Sequence, residues 1–191
     1  MPPKTKFKKE DIIEAAFNVV RKSGWEGLSA RSIAKELNSS TGPIYSYLDS
    51  MKNLEDEVVK KAMELFMEYI INTRKTGDKW IDHGIGYALF AKKEKHLFRG
   101  INDEKHMMFQ KKYSSKMWAA LDEELSDYPI FKGLSGETRQ KIRHMRWIFI
   151  HGLSTLINNA FDFDLAKTEE DIINLVSNGS LVIFQGLKEF E

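Results

Sequence analysis

The chain has 191 residues, 42% of them hydrophobic, no cysteine and a formal net charge of +1. That size and apolar content suit one or two compact domains with a real core, and the lack of cysteine excludes a disulfide scaffold or a Cys-ligated metal. No run of 18 uninterrupted apolar residues occurs, and the basic start MPPKTKFKK leads into no apolar signal segment, so a cytoplasmic protein without a membrane span is expected.

In chain order, residues 1–9 hold Pro2-Pro3 and four lysines and cannot pack a core. They read as a solubilising tail, or as a basic arm for a polyanion backbone. Residues 1–52 carry nine Lys/Arg against six Asp/Glu, a surplus of +3, which leaves the remainder at −2. The basic bias at one end is a pointer to phosphate. Helix 1 is predicted from Glu10 to about Ser23, with Ile13, Ala16, Phe17 and Val20 as its apolar stripe. Acidic residues open it, Arg21-Lys22 close it, and Gly24 stands where a helix stop is expected.

The stretch Leu28 to Leu54 organises the chain. Ser29 is a good N-cap, and Ile33, Ala34 and Leu37 follow at one-face helical spacing. Asn38-Ser39-Ser40 breaks this helix, Asn being tolerant of the left-handed conformation a tight turn needs. Ser40 can cap a second helix from Thr41 to about Leu48, in which the missing amide hydrogen of Pro43 costs nothing. The pattern is a helix-turn-helix, or simply a helical hairpin inside an ordinary bundle. Its exposed side offers Thr41, Gly42, Tyr45, Ser46 and Tyr47, small, hydroxylated or aromatic side chains suited to bases and phosphates.

Helix 4 is expected from Met51 to Thr73, with Ser50 as N-cap. Leu54, Val58, Ala62, Leu65, Phe66 and Tyr69 line one side and Val59, Met63, Met67 and Ile70 a second, the pattern of a helix buried between layers and a natural lever. A polar break with Gly77 precedes helix 5 (about Trp80 to Lys93), where Gly84 and Gly86 mark a close contact or a kink. A short helix 6 sits at His96-Leu97-Phe98, and helix 7 runs from about Asp103 to Leu125. A loop over 126–136 tucks Ile130-Phe131 inward. Helix 8 (about 137–161) carries Ile142, Met145, Phe149, Leu153, Leu156, Ile157 and Ala160, and helix 9 (about 169–189) is capped by Thr168. The fold class is all-α with about nine helices.

Residues Asp11 to Leu54 resemble the N-terminal domain of the TetR/AcrR family of bacterial transcriptional repressors. Ile13 with Ala15-Ala16, Gly24, Ile33-Ala34, Ser40, Gly42, Ile44-Tyr45, Tyr47 and Leu54 carry the likeness at the family's spacing. Four positions depart. Asn38 stands where Gly or Ala is usual, Ser39 where a small apolar residue is usual, and Leu48 for a common Phe. Met51 holds the place of a frequent Lys, with Lys52 one step on, which bears on one phosphate contact rather than on the fold. Ala91 to Arg99 and the Trp147…His151-Gly152 segment also resemble family sequence, the latter a signature of one C-terminal subgroup.

The resemblance implies a three-helix DNA-binding domain over 1–50 and a ligand-sensing and dimerisation domain over 51–191. The expected partners are a palindromic double-stranded DNA operator, a small apolar or amphipathic effector, and a second copy of the chain through helices 8 and 9. The DNA-facing set is Arg31, Ser40, Thr41, Gly42, Tyr45, Ser46, Tyr47 and Lys52, with Tyr45 half core and half contact. Candidate residues for an effector pocket are Phe66, Met67, Tyr87, Phe90, Met107, Phe109, Tyr113, Trp118, Trp147, Phe149 and His151, although such stripes are more often plain core than a cavity wall. The five histidines are scattered, one Asp103-x-x-His106 pair does not make a dimetal bundle, and neither a phosphate-binding Gly loop nor a nucleophile elbow is present. No enzyme, metal or cofactor is therefore expected. The alternative is a helical ligand carrier or protein-interaction module whose helix-turn-helix is inert.

Overall fold

The structure, a computed structural model, describes residues 7–47, 50–125, 128–159 and 166–188. Among them are nine α-helices and no strand: α1 (Lys9–Ser23), α2 (Ala30–Glu36), α3 (Gly42–Tyr47), α4 (Met51–Asn72), α5 (Lys79–Lys93), α6 (Lys95–Ile101), α7 (Met107–Glu124), α8 (Gly136–Asn158) and α9 (Glu169–Lys188). The chain folds as two compact units, residues 1–65 with 94–114 and residues 66–93 with 115–191. Boundaries of these units fall within α4 and α7. Among the described residues no helix is long and apolar enough to cross a membrane.

In the first unit α1 packs on α2 and α6, and α2 on α3. The Asp11 carboxylate accepts from the Lys8 amide at 2.7 Å to start α1, and Gly24, at φ 79°, ends it with its amide on the Val20 carbonyl at 2.9 Å. The buried side of α1 is Ile12, Ala16, Phe17 and Val20, with Ile13 only half-buried. Ser29 caps α2 as expected. Its Oγ accepts from the Ser32 amide at 3.1 Å, and Ser32 Oγ accepts in return from the Ser29 amide at 3.0 Å. Asn38 takes the left-handed conformation at φ 48° and turns the chain.

The helix after that turn begins at Gly42, one residue later than expected, because the Thr41 carbonyl accepts from the amides of Ile44 and Tyr45. Pro43 therefore lies in the first turn, where no amide donor is missed. The expected end at Leu48 falls outside the described residues. Ile44 is fully buried and anchors α3. Ser50 caps α4 by accepting from the Asn53 amide at 3.1 Å. The first turns of α4 meet α1 through Lys9–Glu57 at 3.7 Å, a Lys61–Glu14 ion pair, and Lys61 over the Phe17 ring.

The base of this unit comes from far along the chain. Trp25 Nε1 donates to the His96 carbonyl at 2.8 Å, and its indole lies so close to Gly100 that any Cβ there would overlap it. Arg21 makes a two-pronged pair with the buried Glu94, its Nε donating at 2.8 Å. The buried His106 joins Glu55 at 3.2 Å.

In the second unit α5, α8 and α9 pack on one another. Every residue of α5 from Trp80 to Ala91 is buried. Gly86 lets it approach the backbone of Tyr69 and Ile70, so the expected close contact is there. The buried Asp82 holds the preceding loop, its Oδ1 accepting from the amides of Lys75 (3.1 Å) and Thr76 (2.8 Å) and the Thr76 hydroxyl (2.9 Å). Phe131 is buried in a short 3-10 turn, Pro129–Phe131, as its loop position implied. Thr168 caps α9 by accepting from the Asp171 amide at 3.0 Å.

One expected stripe is rotated. Helix α8 buries Thr138, Ile142, Arg146, Ile150, Leu153, Ser154 and Asn158, whereas Met145 (48%) and Leu156 (40%) are exposed. Asn158 Nδ2 donates to the Ala91 carbonyl at 3.0 Å and Arg146 to groups described below, whereas the buried Ser154 hydroxyl has no hydrogen-bond partner among the described residues.

Candidate nucleic-acid interface and effector cavity

The geometry of the first unit decides which residues of the helix-turn-helix face outward. With Ile33, Ala34 and Ile44 buried, α2 and α3 are seated by their apolar sides. Arg31, Ser40, Thr41, Gly42 and Lys52 are exposed. Tyr45 is 64% exposed, so it lies on the outer face rather than half in the core. Ser46 and Tyr47 belong to α3, but their side chains fall outside the described residues. Thr41, Gly42 and Tyr45 thus stand together at the start of α3, with Arg31 near the start of α2 and Lys52 near the start of α4. Exposed hydroxyl, aromatic and cationic groups on one short helix and its flanks can donate hydrogen bonds and neutralise charge.

A cavity of about 70 Å³ lies within the second unit. Its apolar wall is Ile70, Trp80, Trp118, Leu121, Leu125 and Ile150, with Tyr87, Trp147, His83 and Gly84 beside them. Two arginines, Arg143 and Arg146, complete it. A second cavity of about 480 Å³ shares Trp118, Arg143 and Trp147 with the first and adds Gly136, Gln140 and His144.

Of the residues expected to form a pocket, Tyr87, Trp118 and Trp147 line these cavities. Phe66 and Phe90 are core, their rings 5.0 Å apart, and Phe66 meets Tyr87 edge-on at 4.7 Å. Met67 and Phe149 are half-buried, and neither lines a cavity described here. His151 stands behind the wall. It is stacked on Trp147 at 5.4 Å, and its Nδ1 lies 2.8 Å from the Tyr87 hydroxyl. Met107 and Tyr113 belong to the first unit, Met107 being 43% exposed; Phe109 also falls there, its side chain outside the described residues.

Burial sets the protonation of the Tyr87–His151 pair. It raises the Tyr87 hydroxyl, against a hydrogen bond from Trp147, and lowers His151 below the ordinary histidine range. The phenol therefore keeps its proton and the imidazole is neutral, the donor between them being set by the histidine tautomer.

Arg146 is the residue that sequence reasoning missed. It is buried, its Nε donates to Ser180 Oγ at 3.0 Å, its Nη2 donates to the Trp80 carbonyl, and its guanidinium lies 3.8 Å over the Trp80 ring. Burial pulls it down to about 9, opposed through space by Asp78 and Tyr128, so it remains a cation at neutral pH. The available signal was its register, since Arg146 stands four residues from both Ile142 and Ile150, inside the buried stripe of α8.

Fold and surface together define an all-helical chain that displays an exposed helix-turn-helix. No family model matches the chain. Among curated proteins it is similar to the HTH-type transcriptional regulator PksA of Bacillus subtilis (strain 168), with 35% identity over 68 residues, 36% of this chain. The match spans 31% of that protein's length.

Proposed function

We propose that the chain is a DNA-binding transcriptional regulator of the TetR/AcrR type, a repressor that holds a palindromic operator as a homodimer and leaves it when a small effector binds. The observation that carries this reading is α3, pinned by the buried Ile44 with Thr41, Gly42 and Tyr45 turned outward. Similarity to an HTH-type transcriptional regulator supports it. In this reading Thr41, Gly42 and Ser46 approach base edges, while Arg31, Ser40, Tyr47 and Lys52 meet phosphates and set register. Two such helices would enter successive major grooves roughly 34–36 Å apart.

The homodimer would form through α8 and α9. Met145, Ile148 and Leu156 on α8 and Leu181 and Val182 on α9 are apolar and exposed, Val182 to 68%. The effector would bind in the second unit and act through α4, which has residues in both units. DNA and effector would then prefer different α4 positions, which makes their binding antagonistic.

The test is selection of bound duplexes from a random DNA pool at near-physiological salt. One palindromic consensus, lost on Thr41→Ala or Tyr47→Ala, is the expected result. Recovery of nothing, or of salt-sensitive binding without a consensus, would overturn the reading in favour of a ligand carrier or protein-interaction module with an inert helix-turn-helix.

A further inference from the structure

We propose that the cavity of the second unit takes an amphipathic organic acid, its carboxylate on Arg146 and its apolar body against the tryptophans. This rests on the reading of that unit as an effector sensor and names the chemical class of the effector. The argument starts from a cation where a protein rarely keeps one. A buried arginine normally faces a carboxylate, since an uncompensated charge in the interior is costly. Arg146 touches neutral groups instead, a serine hydroxyl, a backbone carbonyl and an indole face, and the Asp78 carboxylate acts on it only through space. Among the described residues no carboxylate comes within ion-pair distance of it, and two of its five N–H donors are engaged.

Space has been left beside that charge. A Cβ on Gly84 would lie 2.6 Å from Arg146 Nη2, so the glycine is what admits the guanidinium at this point of α5. Arg143 adds a second positive charge on the same cavity. At about 70 Å³ the space beside the guanidinium admits a carboxylate, since about 10–15 Å³ is enough to admit a water. The adjoining 480 Å³ cavity shares Trp118, Arg143 and Trp147 with it and has room for an aryl or short alkyl body. A bare inorganic anion would lose its hydration against Ile70, Trp80 and Ile150 with nothing apolar to gain, whereas an organic acid is matched at both ends.

The experiment titrates the full chain with matched pairs, phenylacetate against phenylacetamide and hexanoate against hexanamide. Calorimetry and tryptophan fluorescence follow binding, Trp80, Trp118 and Trp147 lining the cavities as reporters. Each acid is expected to bind at least about tenfold more tightly than its amide, the discrimination a charge-assisted hydrogen bond provides. Arg146→Met should remove that preference while the helical circular dichroism persists. The contrast between acid and amide in the unaltered protein stands even where the variant does not fold. Equal or tighter binding of the amides, or an acid preference that survives in a folded Arg146→Met, would overturn the assignment and leave an apolar effector sensor intact. Binding of neither series would overturn it together with the sensing reading.

Discussion

Gly100 separates two physical effects of opposite sign. It lies inside α6, where helix propensity alone favours alanine over glycine by about 1 kcal/mol. The new methyl would, however, overlap Nε1, Cε2 and Cζ2 of Trp25. The indole has little room to yield, being hydrogen-bonded to the His96 carbonyl at 2.8 Å and tilted against the His106 ring at a centroid distance of 4.6 Å. Displacing it costs about 1–3 kcal/mol of overpacking, and the lost N–H···O bond adds about 0.5–1.5 kcal/mol. Gly100→Ala should therefore destabilise the protein by about 0.5–3.5 kcal/mol net, read as a lower urea midpoint at unchanged m-value. In the double variant with Trp25→Phe, which shortens the ring and removes the donor, the added cost of Gly100→Ala should shrink by more than about 0.5 kcal/mol. An unchanged or raised midpoint for Gly100→Ala would refute the claim that Trp25 on α6 braces the N-terminal helices.

Tyr45→Ala should leave the unfolding midpoint within about 0.5 kcal/mol of wild type, since the side chain is exposed, yet weaken operator binding measured by fluorescence anisotropy. Arg31→Ala should in addition reduce the salt slope of binding by about 1; an unaltered slope would remove Arg31 from the phosphate contacts. Ile148→Glu, placed on the exposed face of α8, should shift the chain from dimer to monomer in sedimentation, with its helical content unchanged. His151 is held below the ordinary 6.5 by burial, so the unfolded chain protonates first as pH falls. Its contribution to stability is thus present above pH 6.5 and declines below it. Thermal melts from pH 8 to 5 should show a shallower loss in His151→Gln than in wild type, and parallel curves would refute a burial-lowered His151.

Much of the local structure was legible because local structure is set by nearby residues. Ser29, Ser50 and Thr168 cap the helices they precede, each through a side-chain oxygen that reaches an amide three residues on. Asn38 and Gly77 turn the chain at positive φ, where side chains other than Asn or Gly are strained. Thr41 and Gly42, expected on the outer side, are exposed beside the buried Ile44, whereas Tyr45, expected half in the core, is exposed as well. The cavity was less legible. Tyr87, Trp118 and Trp147 line it, whereas Phe66 and Phe90, equally aromatic, fill the core. Nothing in an aromatic stripe distinguishes a wall from packing, because that depends on whether a neighbouring element fills the space in front of it.

What the sequence by itself determined is the helical class, the position of most helix ends and the turn that makes α2 and α3 a helix-turn-helix, all consequences of contacts within a few residues. Tertiary structure alone decided that α6 supports α1 through Trp25, Arg21 and Glu94, more than 70 residues apart along the chain. It also decided which side of α8 is interior. That helix has apolar residues on two sides, and helical period relates positions to one another without saying which side is covered. Packing against α5 and α9 chose the side with Arg146, Ser154 and Asn158, leaving Met145, Ile148 and Leu156 outside. The reason is physical: burial is a property of pairs of surfaces, and the partner surfaces of α8 lie on helices that its own residues do not specify.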